Sequence, residues 1–238
     1  MIDDSIFDIN PHYELSIEFI GKLKSKIVRV DNFLANPERL LEFLETIPLQ
    51  ETIHESQRPK GFYPGYQAYM TYDFRHIQSC ANYLVQQNFG YSAPYFNISY
   101  QCVDGNKKVY GQSSHPHCDD RSIAGNIFLN SNKELEENPN TGTTFYRLKE
   151  TGEECLFPNS CSYRKERYGF NRPDLSLKEY NPIWIDDDKY YRYHFAEAKF
   201  NRLYIYEGNL FHSVYSVSYT HLRAHETKAN RVCRLLLE

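Results

Sequence analysis

His117 and Asp119 stand two apart in the segment SSHPHCDDR (113–121). Side chains alternate along an extended strand, so residues two apart project from one face. An imidazole nitrogen and a carboxylate oxygen placed this way can meet one metal ion. The third ligand has to come from elsewhere. The segment EGNLFHSV (207–214) offers His212, on a strand just after a Gly208-Asn209 turn. Two histidines and one carboxylate on one face of an octahedron leave positions open for a cosubstrate and O₂, the ligand set of non-haem Fe(II) oxygenases. An HxD pair alone arises often by chance. Here a strand follows it, and a strand-borne histidine comes later. The competing roles are a surface or capping histidine for His117 and a satisfied core histidine beside Phe211 for His212. His115 is an alternative first ligand, which we read as an entrance residue. Asp120 falls on the opposite strand face from His117.

The elements that would position these residues follow from hydrophobic period and turn chemistry. KIVRVD (26–31) alternates and is β-branched, as a strand requires. Asn36 fits an N-cap with Pro37 at the first helical position, and Leu40, Leu41, Phe43, Leu44 and Ile47 recur at helical spacing up to Pro48. A second helix is expected over Phe74–Asn88, with Gly90 as its stop signal. Residues 50–72 read as an irregular loop. From Tyr95 the pattern turns to β. Strands are expected at Phe96–Val103, Lys108–Tyr110, Ile123–Asn130, Thr143–Leu148, Arg202–Glu207 and Leu210–Val214. Asp104-Gly105-Asn106 forms a hairpin turn, and a polar loop spans Asn138-Pro139-Asn140. Residues 150–180 show little pattern. Helices first and many short strands after suggest a mainly β (α+β) protein, with helices flanking a jelly roll rather than a βαβ series.

The segments HPHCDDRSIAGNIFLN, GTTFYR and KFNRLYIYEGNLFHSV resemble the core of iron/2-oxoglutarate oxygenase-like proteins, within the prolyl-hydroxylase-like branch and an uncharacterised bacterial and phage-associated group of it. VDNFLANPERLLEFL (Val30–Leu44) is similar to that group's entry strand and helix. The resemblance runs from about Lys26 to Ser216 and is weakest over 150–193. It implies a double-stranded β-helix, Fe(II) held by His117, Asp119 and His212, and 2-oxoglutarate as cosubstrate. It also implies that Gly142–Tyr146 is a core strand opposite the HxD strand, although Phe145 and Tyr146 read first as core aromatics. Such enzymes grip the far carboxylate of 2-oxoglutarate with an Arg or Lys on the strand after the distal histidine, because a guanidinium forks onto a carboxylate. Tyr100 and Tyr110 are candidate donors to a 2-oxoglutarate carboxylate.

That following strand falls in a segment of another kind. Residues 217–238, VSYTHLRAHETKANRVCRLLLE, resemble a translated sequencing adapter: VSYTHLRAHET back-translates to a transposase adapter and VCRLLLE to its flow-cell end. We therefore expect one oxygenase domain over residues 1–216, incomplete at its C-terminus, and a non-native tail over 217–238. Arg223, Arg231 and Arg234 are given no functional role, so the carboxylate anchor stays unassigned. Without the tail's four basic and two acidic residues, the remaining chain is more acidic than the net charge of -4 implies.

Composition narrows the function classes. No long basic run recommends a nucleic-acid surface. No apolar run reaches the length of a membrane-crossing helix, and the acidic N-terminus lacks a signal-peptide pattern, so a cytoplasmic location is expected. The six cysteines contain no CxxC pair, which favours free thiols. No GxSxG, HExxH or P-loop motif competes with the metal reading. Two other readings stand beside the oxygenase: a cupin-like protein holding another divalent metal, and a non-catalytic jelly-roll binding module. The substrate, a small molecule or a peptide, is not legible. The aromatic stretch FYPGYQAYMTY (62–72) reads foremost as packing.

Overall fold

The computed structural model describes residues 4–51, 65–69, 74–92, 96–103, 109–110, 116–119, 123–155, 179–180, 190–215 and 230–237. After a 3-10 turn at Asp4–Phe7 the chain forms β1 (Glu14–Ile20), β2 (Ser25–Asp31), α1 (Pro37–Glu45), β3 (Gln50–Glu51), β4 (Gly65–Tyr69) and α2 (Arg75–Phe89). It continues with β5 (Phe96–Val103), β6 (Val109–Tyr110), β7 (Ile123–Phe128), α3 (Asn132–Glu137) and β8 (Gly142–Leu148). The last elements are β9 (Glu179–Tyr180), β10 (Tyr190–Glu197), β11 (Arg202–Glu207), β12 (His212–Tyr215) and β13 (Asn230–Leu237). The protein is mainly β, with antiparallel sheets and a few helices. The large sheet has the order β1-β2-β11-β7-β13-β5-β4-β3, and the small sheet β10-β8-β12. A third pair joins β6 to β9. No described helix is long and apolar enough to cross a membrane.

Strand alternation divides the core. Val28 and Val30 of β2, Ile98, Tyr100 and Cys102 of β5, Ile123 and Ile127 of β7, and Leu203 and Ile205 of β11 pack under α1 and α2. Their alternate neighbours Ile27, Ala124, Phe128, Tyr204 and Tyr206 turn the other way and meet Phe145 and Ala196 of the small sheet. The site residues lie on this second side. Described Cys80, Cys102, Cys118 and Cys155 are all free thiols, as the absence of CxxC pairs suggests.

Several sequence expectations need correction. Asn36 sits at the N-cap of α1 with Pro37 behind it, but its side chain does not cap. Its amide donates to the Ser5 carbonyl at 3.1 Å, since the 3-10 turn lies close enough to compete. The polar stretch after β7 contains α3, held by a capping box between Ser131 and Glu134. Ser131-x-x-Glu134 is the sequence signature of that motif, masked by the acidic composition around it. Within the 50–72 region, β3 and β4 extend the sheet. β1 and β10 also form, and β13 lies between β5 and β7, so part of the adapter-like segment takes a place in the sheet. That place leaves the facing edges of β5 and β7 hydrogen-bonded rather than open. The hairpin turn expected at 104–106 lies outside the described residues, as does most of 150–180. α2 ends as expected at Gly90, whose φ of 80° is left-handed.

Two polar devices at the start of β11 tie it to the chain around the end of β2. Asn201 has φ 61°. Its amide nitrogen donates to the Leu34 carbonyl at 2.9 Å and its oxygen accepts from the Leu34 amide at 2.8 Å. Arg202 forks onto Asp31, with Nε to Oδ1 at 2.5 Å and Nη2 to Oδ2 at 2.9 Å. This guanidinium holds the Asp31 carboxyl below its ordinary value. On β10, burial pushes the His194 imidazole below its ordinary value, against the opposing pull of Glu18.

Asn201→Ala loses both buried bonds and keeps a backbone conformation that alanine disfavours, so unfolding in urea should show a loss of about 2–4 kcal/mol. Asn201→Gly should recover only the backbone part. Acid should act in two stages. The unfolded chain protonates its histidine before folded His194 does, so stability falls as pH drops below 6.5. The Asp31 contribution is intact above the ordinary carboxylate value of 3.8 and disappears as pH falls through its lower folded value. His194→Gln should flatten the first stage and spare the second in pH-resolved denaturation. An unchanged first stage would exclude His194 as its source.

Candidate metal centre

β11 ends in a tight turn in which the Leu210 amide donates to the Glu207 carbonyl at 3.2 Å. The chain then reverses into β12, whose first residue is His212. On one side β12 pairs with β8, His212 standing opposite Phe145. On the other side His212 forms an antiparallel bridge with His117. The two residues exchange both main-chain bonds, His117 N to His212 O at 2.9 Å and His212 N to His117 O at 2.8 Å. Directly paired residues point to one face, so both imidazoles face the interior; their ring centroids are 4.7 Å apart. The Asp119 amide continues the ladder by donating to the Gly208 carbonyl at 2.8 Å. Asp119, two residues past His117, thus joins the same face. Cys118 points the other way, into a cluster with Tyr146, Leu148, Tyr190 and Phe211.

The three expected ligands therefore converge. His212 Nε2 lies 3.3 Å from Asp119 Oδ2, and His117 Nε2 lies 3.8 Å from Asp119 Oδ1. All three ligand atoms lie within 4.8 Å of one another. Ligands at about 2.1 Å from an ion, at right angles to one another, would be about 3 Å apart, so a small contraction closes the set. His212 carries the clearest sign of a missing partner. Its Nδ1 lies 2.9 Å from the Leu210 carbonyl, which can only accept, so Nδ1 is the donor there and Nε2 is the nitrogen turned toward the other two candidate ligands. Among the described residues that buried Nε2 makes no hydrogen bond, its nearest polar neighbour being the Asp119 carboxylate at 3.3 Å. A buried polar atom left so is uncommon, and an ion at this point would satisfy it. Burial is asymmetric: the His212 side chain is 3% exposed, Asp119 13% and His117 22%. The His212 side is walled by Tyr206, in edge contact at 5.1 Å, and by Phe145 at 6.4 Å. The donor set of two imidazoles and one carboxylate suits a divalent first-row metal and leaves sites open on the exposed side.

A family model matches residues 11–231, that of a family of unknown function (DUF6445). The chain belongs to this family. The match reaches into the adapter-like segment. A search of curated proteins finds no match to the DUF6445 chain. Among solved structures it is similar to a prolyl hydroxylase from Trichoplax adhaerens, in complex with a hypoxia inducible factor oxygen degradation domain peptide fragment. The identity is 12% and the TM-score 0.45, over 89% of this chain and 82% of that one.

Other expected residues of the DUF6445 chain are placed differently. Tyr100 is 2% exposed and packs under the helices, on the sheet face turned away from the triad. The alternation of β5 sends Ser99 and Gln101 to the triad side, so Tyr100 is not brought to the metal centre. Tyr110 lies on β6, and its side chain is outside the described part of the structure, as are His115 and Asp120. β8, implied to stand opposite the HxD strand, lies in one sheet with it, with β12 between. Phe145 and Tyr146 are fully buried aromatics.

Sequence reasoning missed the buried polar groups on the inner face of the large sheet. Asn126 of β7 donates to Thr143 Oγ1 at 3.0 Å and to the Tyr206 hydroxyl at 3.4 Å, joining the two sheets beside the ring that walls His212. Buried Ser99 and Gln101 stand on the same face, with Gln101 donating to Ser99 at 3.1 Å. The signal was present: Asn126 interrupts IAGNIF, a strand buried along its whole length, and a buried polar residue in such a strand marks a place where polarity is used.

His212→Ala and Asp119→Ala should each weaken Co(II) or Fe(II) binding by about a hundredfold or more in anaerobic titration, while exposed His76→Ala should leave it unchanged. Metal at a hundred times its Kd should stabilise the parent chain by about 2.7 kcal/mol and the two site variants far less. Equal stabilisation of all four proteins would place the ion elsewhere.

Proposed function

We propose that this protein is a non-haem Fe(II) oxygenase dependent on 2-oxoglutarate, built on a double-stranded β-helix, with His117, Asp119 and His212 as the iron ligands. The observation that carries the reading is the buried Nε2 of His212, oriented by the Leu210 carbonyl and lacking a hydrogen-bond partner among the described residues, beside Asp119 and His117. Bound iron with this cosubstrate supplies oxidative decarboxylation coupled to hydroxylation of a C–H bond. The chain's own residues do the positioning. His212 enters as a neutral ligand because its Nδ1 proton is committed to a carbonyl. Asp119 contributes one negative charge, so a divalent ion at the triad keeps net positive charge to attract an anionic cosubstrate. Tyr206 and Phe145 exclude water from the His212 side, and the ladder holds His117 at the exposed side, where ligands can enter. Ser99, Gln101, Asn126 and Thr143 supply hydrogen-bonding groups on an otherwise apolar interior, as an oxygen-rich cosubstrate would need.

The carboxylate anchor stays unassigned. We expect the 238-residue chain to bind iron and, on metal, 2-oxoglutarate, but to release succinate well below about 1 per second, the low end of ordinary enzyme rates. Calorimetry of 2-oxoglutarate with the metal-loaded chain, and succinate measured after aerobic incubation, test the two halves. His212→Ala should abolish both signals. Metal binding with no 2-oxoglutarate binding would refute the cosubstrate assignment and favour the cupin-like reading. Fast succinate release would refute the expectation of weak turnover.

A further inference from the structure

β1 is the end strand of the large sheet, and among the described residues no strand pairs with its outer edge. It runs seven residues and pairs with β2 without a register shift. Proteins guard exposed edges with charged side chains, above all Lys, and with Pro, bulges or very short strands; ELSIEFI has no Lys, Pro or bulge, and its two charges, Glu14 and Glu18, lie on the face opposite the apolar row. Instead its alternation presents Leu15, Ile17 and Phe19 on the face that continues the helix-side core, opposite Val30, Val28 and Lys26 of β2. These three apolar side chains are 47%, 44% and 62% exposed. A long, regular, apolar edge is a template for strand addition.

We propose that β1 pairs with the β1 strand of a second copy of this chain, antiparallel, about a two-fold axis at Ile17. A two-fold contact must be self-complementary, residue i meeting j and j meeting i. With the axis at Ile17, Ile17 meets the partner's Ile17 and Leu15 meets the partner's Phe19, so the apolar rows join into one stripe. Ser16 then meets the partner's Glu18, and Glu14 meets the partner's Ile20. Charge and overlap together select this register: axes at Leu15 or Phe19 pair only the end of the strand, and the two nearer axes oppose carboxylates. Moving the axis to Ser16 sets Glu14 against the partner's Glu18, and moving it to Glu18 sets Glu18 against the partner's Glu18. Like charges directly opposite are destabilising. In the favoured register Glu18 also keeps its bond to Arg29, 2.9 Å on the neighbouring strand. The pairing covers the whole of β1, closes the free edge and buries the apolar row. An unrelated extended peptide would have no reason to require a strand that matches itself.

Sedimentation velocity of the full 238-residue chain should show a dimer at micromolar concentration. Ile17→Lys places two ammonium groups at the axis and should weaken dimerisation by about a hundredfold, with the circular dichroism spectrum unchanged because position 17 is exposed in the single chain, and with a thermal midpoint equal to the parent's only at dilutions where both are monomers. Ile17→Cys, which keeps the strand apolar, should give a disulfide-linked dimer on mild oxidation, above the background of the unsubstituted chain. Leu15→Cys alone should not, whereas Leu15→Cys combined with Phe19→Cys should. A monomer at about 100 μM, where a micromolar dimer would be saturated, overturns the proposal. So does a dimer that survives Ile17→Lys or cross-links equally through Leu15→Cys. A monomeric chain that captures an extended peptide along β1 overturns it as well.

Discussion

The candidate centre depends on one reciprocal main-chain contact, the antiparallel bridge between His117 and His212. Its two hydrogen bonds, 2.9 and 2.8 Å, determine that both imidazoles point inward and that Asp119 follows on the same side. Because the ladder is made by backbone, the side chains at these positions take no part in holding the strands together. Support comes from beyond it. The Phe211 amide donates to the Glu154 carbonyl at 2.9 Å, one residue before His212. The Glu154 side chain is buried, pairs with Arg147 at 2.7 Å and accepts from the Lys22 amide at 3.0 Å in the turn after β1. Gly21 makes this approach possible: a Cβ there would lie 2.1 Å from the Glu154 carboxylate. The β1–β2 turn thus braces the strand that carries the distal histidine.

The second constraint is the contrast between the two faces of the large sheet. The helix side is packed with apolar groups, so any polar side chain there would be stranded. The inner side tolerates Ser99, Gln101, Asn126 and Tyr206 because they bond to one another or across to the small sheet. Buried polar groups satisfied in this way specify an arrangement more than they stabilise it. Here Asn126 bonds to Tyr206, the ring in edge contact with His212. The candidate centre is thus aromatic around His212 and polar at Asn126, beside one of those rings.

Much of this arrangement was legible from local pattern. The spacing of His117 and Asp119 needs only strand alternation, and the turn at Gly208-Asn209 needs only turn chemistry. α2 and its stop at Gly90, the strand at Arg202–Glu207 and the start of α1 follow from periodicity and capping, which are properties of a few consecutive residues. Local pattern failed where a neighbour distant in sequence decided the outcome. Asn36 was drawn to Ser5 rather than to its own helix. Tyr100 looks like a donor in sequence, yet strand parity turns it under the helices. β4 and β10 have weak patterns of their own and exist because β5 and β8 offer them edges.

By itself, then, the sequence determined the residue types of the ligand set, the faces that His117 and Asp119 share, and the mainly β character of the chain. Only the tertiary structure decided that His212 pairs with His117, 95 residues earlier in the chain, a contact that no local periodicity encodes. It alone decided that the Leu210 carbonyl orients the His212 ring and that Asn126 and Tyr206 stand beside it. The reason is physical. Alternation and capping are set by adjacent dihedral angles, whereas the direction of a lone pair and the absence of its partner depend on which strands come to lie side by side.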